Sequence, residues 1–257
     1  MGDFWIMRPF GPLFFAIFAV FVLLLAAAGH LLREKSERTK ALVIASACWV
    51  TLLGFIAYKY ALYKDAEFDA LTAGMGGFNW WGELPLQLCN INLLLIPIAV
   101  LTKKRPLLGF CFFVGPIGAL MALVLPSTGF DGYSLFLPRM LGYYGTHYVI
   151  LFAALAVGTF GLYRPRMRDL PLTAATLFLI ALLVFGFNLL LRRTGLHPGA
   201  NYFFSVETEG NPLLELFYRW IPVPFLYLLP SIVILTAYAG IITLGFSAAE
   251  HLRSRRP

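Results

Sequence analysis

The most informative segment of the chain reads Gly82-Glu83-Leu84-Pro85-Leu86-Gln87-Leu88-Cys89-Asn90-Ile91-Asn92-Leu93 and opens a long apolar run. It places one glutamine, one cysteine and two asparagines within six residues of each other. Amide side chains are costly in lipid, so a membrane segment that carries several must turn them toward protein or a wet cavity. The stretch therefore indicates either polar contacts between helices or a reactive thiol in a polar pocket inside the membrane.

The composition is that of a membrane protein. Of the 257 residues, 60% are hydrophobic and 13% are charged, and the mean hydropathy is +0.78. These values exclude an ordinary soluble domain. A net charge of +7 would suit nucleic acid. However, the basic residues lie in short clusters between apolar runs, which is a signal of membrane topology. We therefore expect no nucleic-acid partner.

Seven apolar runs are candidates for membrane spans, each of which needs about 20 residues. They comprise residues 11–32, 41–61, 84–101, 107–125, 143–162, 170–191 and 222–245. The first is too long for the core of a signal peptide and lacks a clear cleavage site, so we interpret it as a retained span. No internal repeat and no second domain are evident. The sequence thus predicts one all-α domain, residues 1–257, folded as a bundle of seven transmembrane helices.

The distribution of basic residues predicts the orientation of this bundle. Seven spans put the termini on opposite sides of the membrane, and one side receives 13 of the 20 Lys and Arg residues. These are Arg33, Lys35, Arg38, Lys40, Lys103, Lys104, Arg105, Arg164, Arg166, Arg168, Arg253, Arg255 and Arg256. By the positive-inside rule this side is cytoplasmic, with the N-terminus outside and the C-terminus inside. We expect the outer loop at residues 192–221 to form a cap over the outer mouth.

Cys89 and His147 are the candidates for covalent chemistry. Each lies a few residues inside the outer end of its predicted span, about 6–8 Å below the interface at a rise of 1.5 Å per residue. An imidazole within hydrogen-bond reach can take a thiol proton and leave a thiolate that attacks an ester carbonyl. A catalytic pair requires that the two residues lie at the same depth, but equal depth does not demonstrate one. A structural cysteine and a histidine that bonds to a neighbouring helix could also lie at the same depth.

Neighbouring amides are candidates for binding substrate or an oxyanion. Asn90, Asn92 and Gln87 flank the thiol and offer N–H donors. If the segment is helical, Asn92 shares a face with Cys89, whereas Gln87 points almost the opposite way. The spacing therefore favours Asn92 over Gln87.

Other polar residues lie near the same side of the membrane. The further candidates for substrate binding are Asn188 near the outer end of the sixth span, Asn201 in the cap, and Arg139 before the fifth span. Arg139 could hold a phosphate, pair with Glu83 or serve as an interfacial anchor. A zinc site built from Cys89, His147 and His197 matches no recognisable ligand spacing, so we expect no metal.

Four segments occur in an order that resembles a known family. They are Leu84-Pro85-Leu86-Gln87-Leu88-Cys89-Asn90-Ile91, Gly115 with Gly118-Ala119, Thr146-His147, and Ala200-Asn201-Tyr202-Phe203. With these, the chain resembles the YwaF-type integral membrane proteins, the group that includes eukaryotic transmembrane protein 164. The resemblance runs from the second span to the seventh. The short loops are similar to those of bacterial members, which implies a multi-pass protein of the bacterial inner membrane.

The resemblance implies a polytopic lipid acyltransferase. The eukaryotic relative is understood to move a polyunsaturated acyl chain from a phospholipid to a lyso ether phospholipid through a cysteine and a histidine. The matching positions here are Cys89 as the nucleophile and His147 as the base. We therefore expect a phospholipid donor and a lysophospholipid acceptor, or water as the acceptor. No cofactor is expected because the ester donor is already activated.

Two functions of other classes also fit the sequence. A transporter or channel for a small solute would line a route through the membrane with polar residues, but few lie toward the cytoplasmic half. A seven-helix sensor would bind a ligand under the outer cap. It would usually need a signalling partner or domain, and the tail at residues 253–257 is too short to be such a domain. The sequence leaves the oligomeric state open.

Overall fold

The computed structural model describes residues 3–75, 77–127 and 129–254, which form an all-α fold with one two-residue strand pair. The helices are α1 (Pro12–Leu31), α2 (Glu37–Tyr63), α3 (Ala66–Thr72), α4 (Asn92–Thr102), α5 (Arg105–Val124), α6 (Pro138–Thr159), α7 (Leu170–Thr194), α8 (Pro212–Trp220) and α9 (Leu229–Ser254). Strand β1 (Ile6–Met7) pairs antiparallel with β2 (Tyr133–Ser134). Helices α1, α2, α5, α6, α7 and α9 are long and apolar enough to cross a membrane. The protein is therefore an integral, multi-pass membrane protein.

Helix α6 lies at the centre of the bundle. Its most apolar window is 61% buried, compared with 17% for α1 and 11% for α9. It packs against α1, α2, α4 and α5, while α7 packs on α5 and α9 packs on α7. The core therefore lies between α2, α4, α5 and α6. Helices α1 and α9 present most of their surface to the surroundings.

The third predicted helix, residues 84–101, is wrong in its first half. Helix α4 begins only at Asn92, and its 11 residues span about 16 Å, roughly half of the ~30 Å hydrocarbon core. Residues 84–91, here named the turn segment, form successive turns, one of them closed by the Asn92 N–H to the Cys89 carbonyl at 3.1 Å. Pro85 lacks the N–H that a helix would use. The described residues thus hold six long helices and one half-length helix, and the seven-span orientation stays a prediction.

A loop from the other end of the chain closes over the turn segment. The Tyr202 hydroxyl accepts a hydrogen bond from the Leu84 N–H at 3.0 Å. The Phe203 N–H donates to the Gln87 side-chain oxygen at 3.2 Å. The Leu84 N–H and the Gln87 side chain therefore bond to residues 195–211, which we name the cap loop. The cap loop is part of the segment 192–221 for which the sequence predicts a cap; the rest of that segment is mainly the end of α7 and helix α8.

Glycines allow the central helices to approach closely. A Cβ added at Gly118 on α5 would lie 3.3 Å from the Cα of Cys89. A Cβ at Gly142 on α6 would lie 2.2 Å from the ring of Tyr58 on α2. Helix α5 thus reaches the turn segment, and helix α6 reaches α2, only because these two positions have no side chain.

We expect Gly142→Ala to lower the free energy of unfolding by about 1–3 kcal/mol, because the new methyl group overpacks the contact with Tyr58. Gly145→Ala on the same helix is the matched control, since a Cβ there meets nothing within 4 Å. The control should be neutral or stabilising by up to about 1 kcal/mol through helix propensity. Thermal unfolding of the purified protein in detergent measures both. Equal midpoints for the two variants would contradict the close α2–α6 contact.

Candidate functional site

Cys89 and His147 lie in direct contact. The His147 Nε2 is 3.3 Å from the Cys89 Sγ, and the His147 Nδ1 is 2.8 Å from the Tyr143 carbonyl oxygen. Because a carbonyl oxygen can only accept, Nδ1 carries the proton, and the Nε2 of the neutral ring turns its lone pair toward the sulfur. The thiol therefore donates to the imidazole, which is the arrangement in which a histidine can take a cysteine's proton.

The two residues are held by different kinds of structure. His147 is buried in α6, and its ring centroid lies 4.5 Å from that of Tyr143, which in turn stacks on Phe130 at 4.3 Å. Cys89 lies in the turn segment, partly exposed, with its backbone against Gly118. Ring packing thus fixes the imidazole, and the turns fix the thiol.

Backbone N–H groups are available beside the thiol. Within the described residues, the N–H groups of Cys89 and Asn90 bond to no backbone carbonyl. In a continuous helix these groups would bond to carbonyls four residues earlier, so the turns make them available. Backbone N–H groups at and next to a nucleophile are donors from which oxyanion holes are built. Sequence reasoning missed this feature because it assumed a helix.

A part-buried charge pair lies beside the turn segment. The Lys59 Nζ is 2.5 Å from a Glu83 carboxylate oxygen and lies 4.9 Å and 4.5 Å from the ring centroids of Phe55 and Tyr58. The pair joins α2 to the residue that precedes the turn segment. Sequence reasoning missed Lys59, although a lysine inside a predicted span is itself a signal of function.

Two of the three amides around the thiol, Asn92 and Gln87, have other partners. The Asn92 Nδ2 donates at 2.9 Å to the carbonyl four residues earlier, and its Oδ1 lies near Gly115. The preference for Asn92 over Gln87 was wrong in its premise, because Cys89 precedes the helix and shares no helical face with Asn92. Gln87 bonds to the cap loop. Within the described ranges, the Asn90 Oδ1 is buried without a hydrogen-bond partner.

Asn188 and Asn201 shape the cap loop. The Asn188 side chain is fully buried and bonds both backbone groups of Tyr202, donating to its carbonyl at 2.9 Å and accepting from its N–H at 3.0 Å. The Asn201 Oδ1 accepts from the N–H groups of Val206 and Glu207 at 2.9 Å and 3.1 Å. Both residues therefore support the loop above the site, and their amides are already engaged.

Arg139 is neutralised by two carboxylates. Its side chain is 1% exposed and donates to Asp65 at 2.6 Å and to Glu67 at 2.7 Å. The anticipated pairing with Glu83 is wrong, since Glu83 pairs with Lys59. Arg139 joins α6 to the start of α3, so its charge is not available for a phosphate in this arrangement.

The other two cysteines lie apart from this chemistry. Cys48 and Cys111 are completely buried and carry free thiols. In the part of the chain that the structure describes, no group of three His, Cys, Asp or Glu side chains is arranged to hold a metal ion. Cys89 is thus the cysteine with both a base and an exposed surface.

We expect N-ethylmaleimide to modify Cys89 before the two buried cysteines, giving one adduct in the folded protein and three after unfolding. Cys89→Ala should abolish the rapid adduct. His147→Gln should slow it by about tenfold or more, because the thiolate is the reactive species and glutamine cannot take its proton. Intact mass against time measures the rates. Rapid labelling that survives Cys89→Ala would contradict the assignment.

A second prediction concerns the Arg139 cluster and pH. Burial raises the pKa of the Asp65 carboxyl, but hydrogen bonds from the Phe68 N–H and from Arg139 outweigh it and hold the pKa below its ordinary value of 3.8. A lowered pKa stabilises the folded state above the ordinary value, and this contribution is lost as the pH falls through the lowered pKa. Asp65→Asn should therefore cost about 1–3 kcal/mol at neutral pH and progressively less below pH 4.

Unfolding midpoints from pH 7 to pH 3 test this pH dependence. Asn at position 65 can still cap α3 through its side-chain oxygen, so the substitution removes the charge and keeps the cap. Glu67→Gln is the matched control, because its side chain is 57% exposed and should contribute less. A loss in Asp65→Asn that does not change with pH would contradict the charge-pair explanation.

Comparison with known proteins extends these observations to a family. A model of the TMEM164 family matches residues 7–243, a range that includes the turn segment, the Cys89–His147 contact and the cap loop. No curated protein and no solved structure matches the chain. The family match covers most of the sequence and confirms the family resemblance. The protein is a member of the TMEM164 family.

Proposed function

We propose that the protein is a membrane phospholipid acyltransferase with Cys89 as the nucleophile and His147 as the base. The observation that carries the proposal is the 3.3 Å contact between the Cys89 Sγ and the unprotonated His147 Nε2. The contact lies among membrane helices and under the cap loop, where a lipid ester is the abundant electrophile. The resemblance to YwaF-type proteins implies the same reaction class.

The first half-reaction forms a thioester. The Cys89 proton moves to the His147 Nε2, and the sulfur attacks the carbonyl carbon of a phospholipid ester, forming a C–S bond. The N–H groups of Cys89 and Asn90, which bond to no backbone carbonyl within the described residues, are the donors that would stabilise the resulting oxyanion. The ester C–O bond then breaks, and the proton on Nε2 passes to the departing oxygen of the lysophospholipid.

The second half-reaction reverses these roles. A hydroxyl of an acceptor lysophospholipid gives its proton to the His147 Nε2, and its oxygen attacks the thioester carbonyl. The C–S bond breaks, the new ester C–O bond is complete, and the Cys89 sulfur recovers the proton. Water in place of the acceptor hydroxyl would give a free fatty acid, and the protein would then act as a hydrolase. Neither half-reaction requires a cofactor.

Intact mass after incubation with mixed phospholipids tests the proposal. We expect an acyl-sized adduct on the wild type that hydroxylamine removes, together with released lysophospholipid. Cys89→Ala should give no adduct, and His147→Gln should form it about 10²-fold more slowly or worse, since proton transfer by a positioned base contributes at least that much.

Cys48→Ala is the matched control, because this buried thiol is remote from the base and its loss should leave the adduct unchanged. Absence of both adduct and lysophospholipid in folded wild-type protein would contradict the proposal. That outcome would favour a transporter or channel with a polar cavity on the cap-loop side.

A further inference from the structure

A groove of about 490 Å³ lies between α2 and α6 and is open along one side. Its lining runs from Thr51 to Ala61 on α2 and from Pro138 to Val149 on α6. At a rise of 1.5 Å per residue these stretches are about 15–17 Å long. That length is about half of the ~30 Å hydrocarbon core, which is the depth that the acyl chains of one leaflet occupy.

The walls of the groove suit an acyl chain. A Cβ added at Gly54 or at Gly145 would meet nothing within 4 Å, so these two glycines leave open space along the two walls of the groove. The other lining residues are mostly apolar, among them Ala57, Leu141 and Val149. A flexible hydrocarbon chain fills such a narrow space without needing polar partners.

One polar side chain lies in the groove wall. Thr146 lines the groove and is only 5% exposed. Its hydroxyl can donate one hydrogen bond and accept others, so it can bond to an oxygen atom of a ligand in the groove. The groove therefore favours a ligand that combines a hydrocarbon chain with an oxygen, as a lipid ester does.

The groove adjoins the Cys89–His147 contact. Thr146 directly precedes His147 on α6. Tyr58 also lines the groove, and its ring centroid lies 4.5 Å from the Lys59 Nζ, which pairs with Glu83 just before the turn segment. Tyr58 therefore contacts both the groove and the residues beside the turn segment.

We infer that the α2–α6 groove binds the acyl chain of a membrane glycerophospholipid and brings its ester to the wall formed by Tyr58 and Thr146. The inference rests on the proposed function for its choice of lipid. The groove thus gives the substrate lateral access from the bilayer, while the cap loop covers the turn segment. The length of the groove sets the chain length that can be held.

Photocrosslinking in lipid nanodiscs tests the inference. The probe is a phosphatidylcholine with a diazirine in the middle of one acyl chain, and the protein is the full chain carrying Cys89→Ala, so that labelling needs no chemistry at the thiol. We expect labelled peptides from residues 51–61 and 138–149. Gly54→Leu and Gly145→Leu should each reduce this labelling at least tenfold, because leucine fills the groove.

Gly186→Leu is the matched control, since Gly186 lies on α7, is exposed and also has nothing within 4 Å of an added Cβ. It should leave the labelling unchanged. Thr146→Val keeps the shape of the side chain and should lower labelling severalfold by removing the hydroxyl. Labelling spread over all outward helix faces, or insensitive to Gly145→Leu, would overturn the inference.

The inference and the proposed function fail separately. Groove labelling in Cys89→Ala without an acyl adduct on the wild type would support the groove and contradict the acyltransferase. An acyl adduct that forms at the wild-type rate in Gly145→Leu, with no groove labelling, would support the acyltransferase and overturn the groove.

Discussion

The turn segment, residues 84–91, is the constraint on which the rest of the structure depends. Non-helical backbone inside a membrane protein is tolerated only where protein or water satisfies its N–H and C=O groups, since each unpaired group costs several kcal/mol. The partners here come from far along the chain: the Tyr202 hydroxyl bonds the Leu84 N–H across 118 positions. The cap loop, α5 and the turn segment therefore form one packed unit, and Gly118 allows its closest approach.

The same break in the helix creates the chemistry of the site. Turns release the N–H groups of Cys89 and Asn90 from helical bonding and leave them available beside the thiol. Helix α6 supplies the opposite half, because the Tyr143 carbonyl fixes the proton on one nitrogen of His147 and leaves the other free for the thiol. A segment of turns and a helix thus meet at a single contact, with the base on the helix.

Charges near this site are paired within the protein. Lys59 pairs with Glu83 just before the turn segment, and Arg139 pairs with Asp65 and Glu67 at the start of α3. Each pair joins elements that are distant in sequence, so the charges hold the cap-loop side of the bundle together. Polar residues at this side consequently act mainly as supports. The groove between α2 and α6 is instead lined by glycines, apolar residues and a few polar side chains such as Thr146.

The sequence by itself determined the all-α membrane class, six of the long helices and the two residues that meet at the site. Hydrocarbon thickness imposes a length on apolar runs, and a thiol and an imidazole are recognisable by type. Only the tertiary structure decided where α4 begins, that Arg139 is neutralised and that Cys89 reaches His147 across 58 positions. These features depend on helix rotation and on hydrogen bonds between distant segments, which a local pattern of residues does not encode.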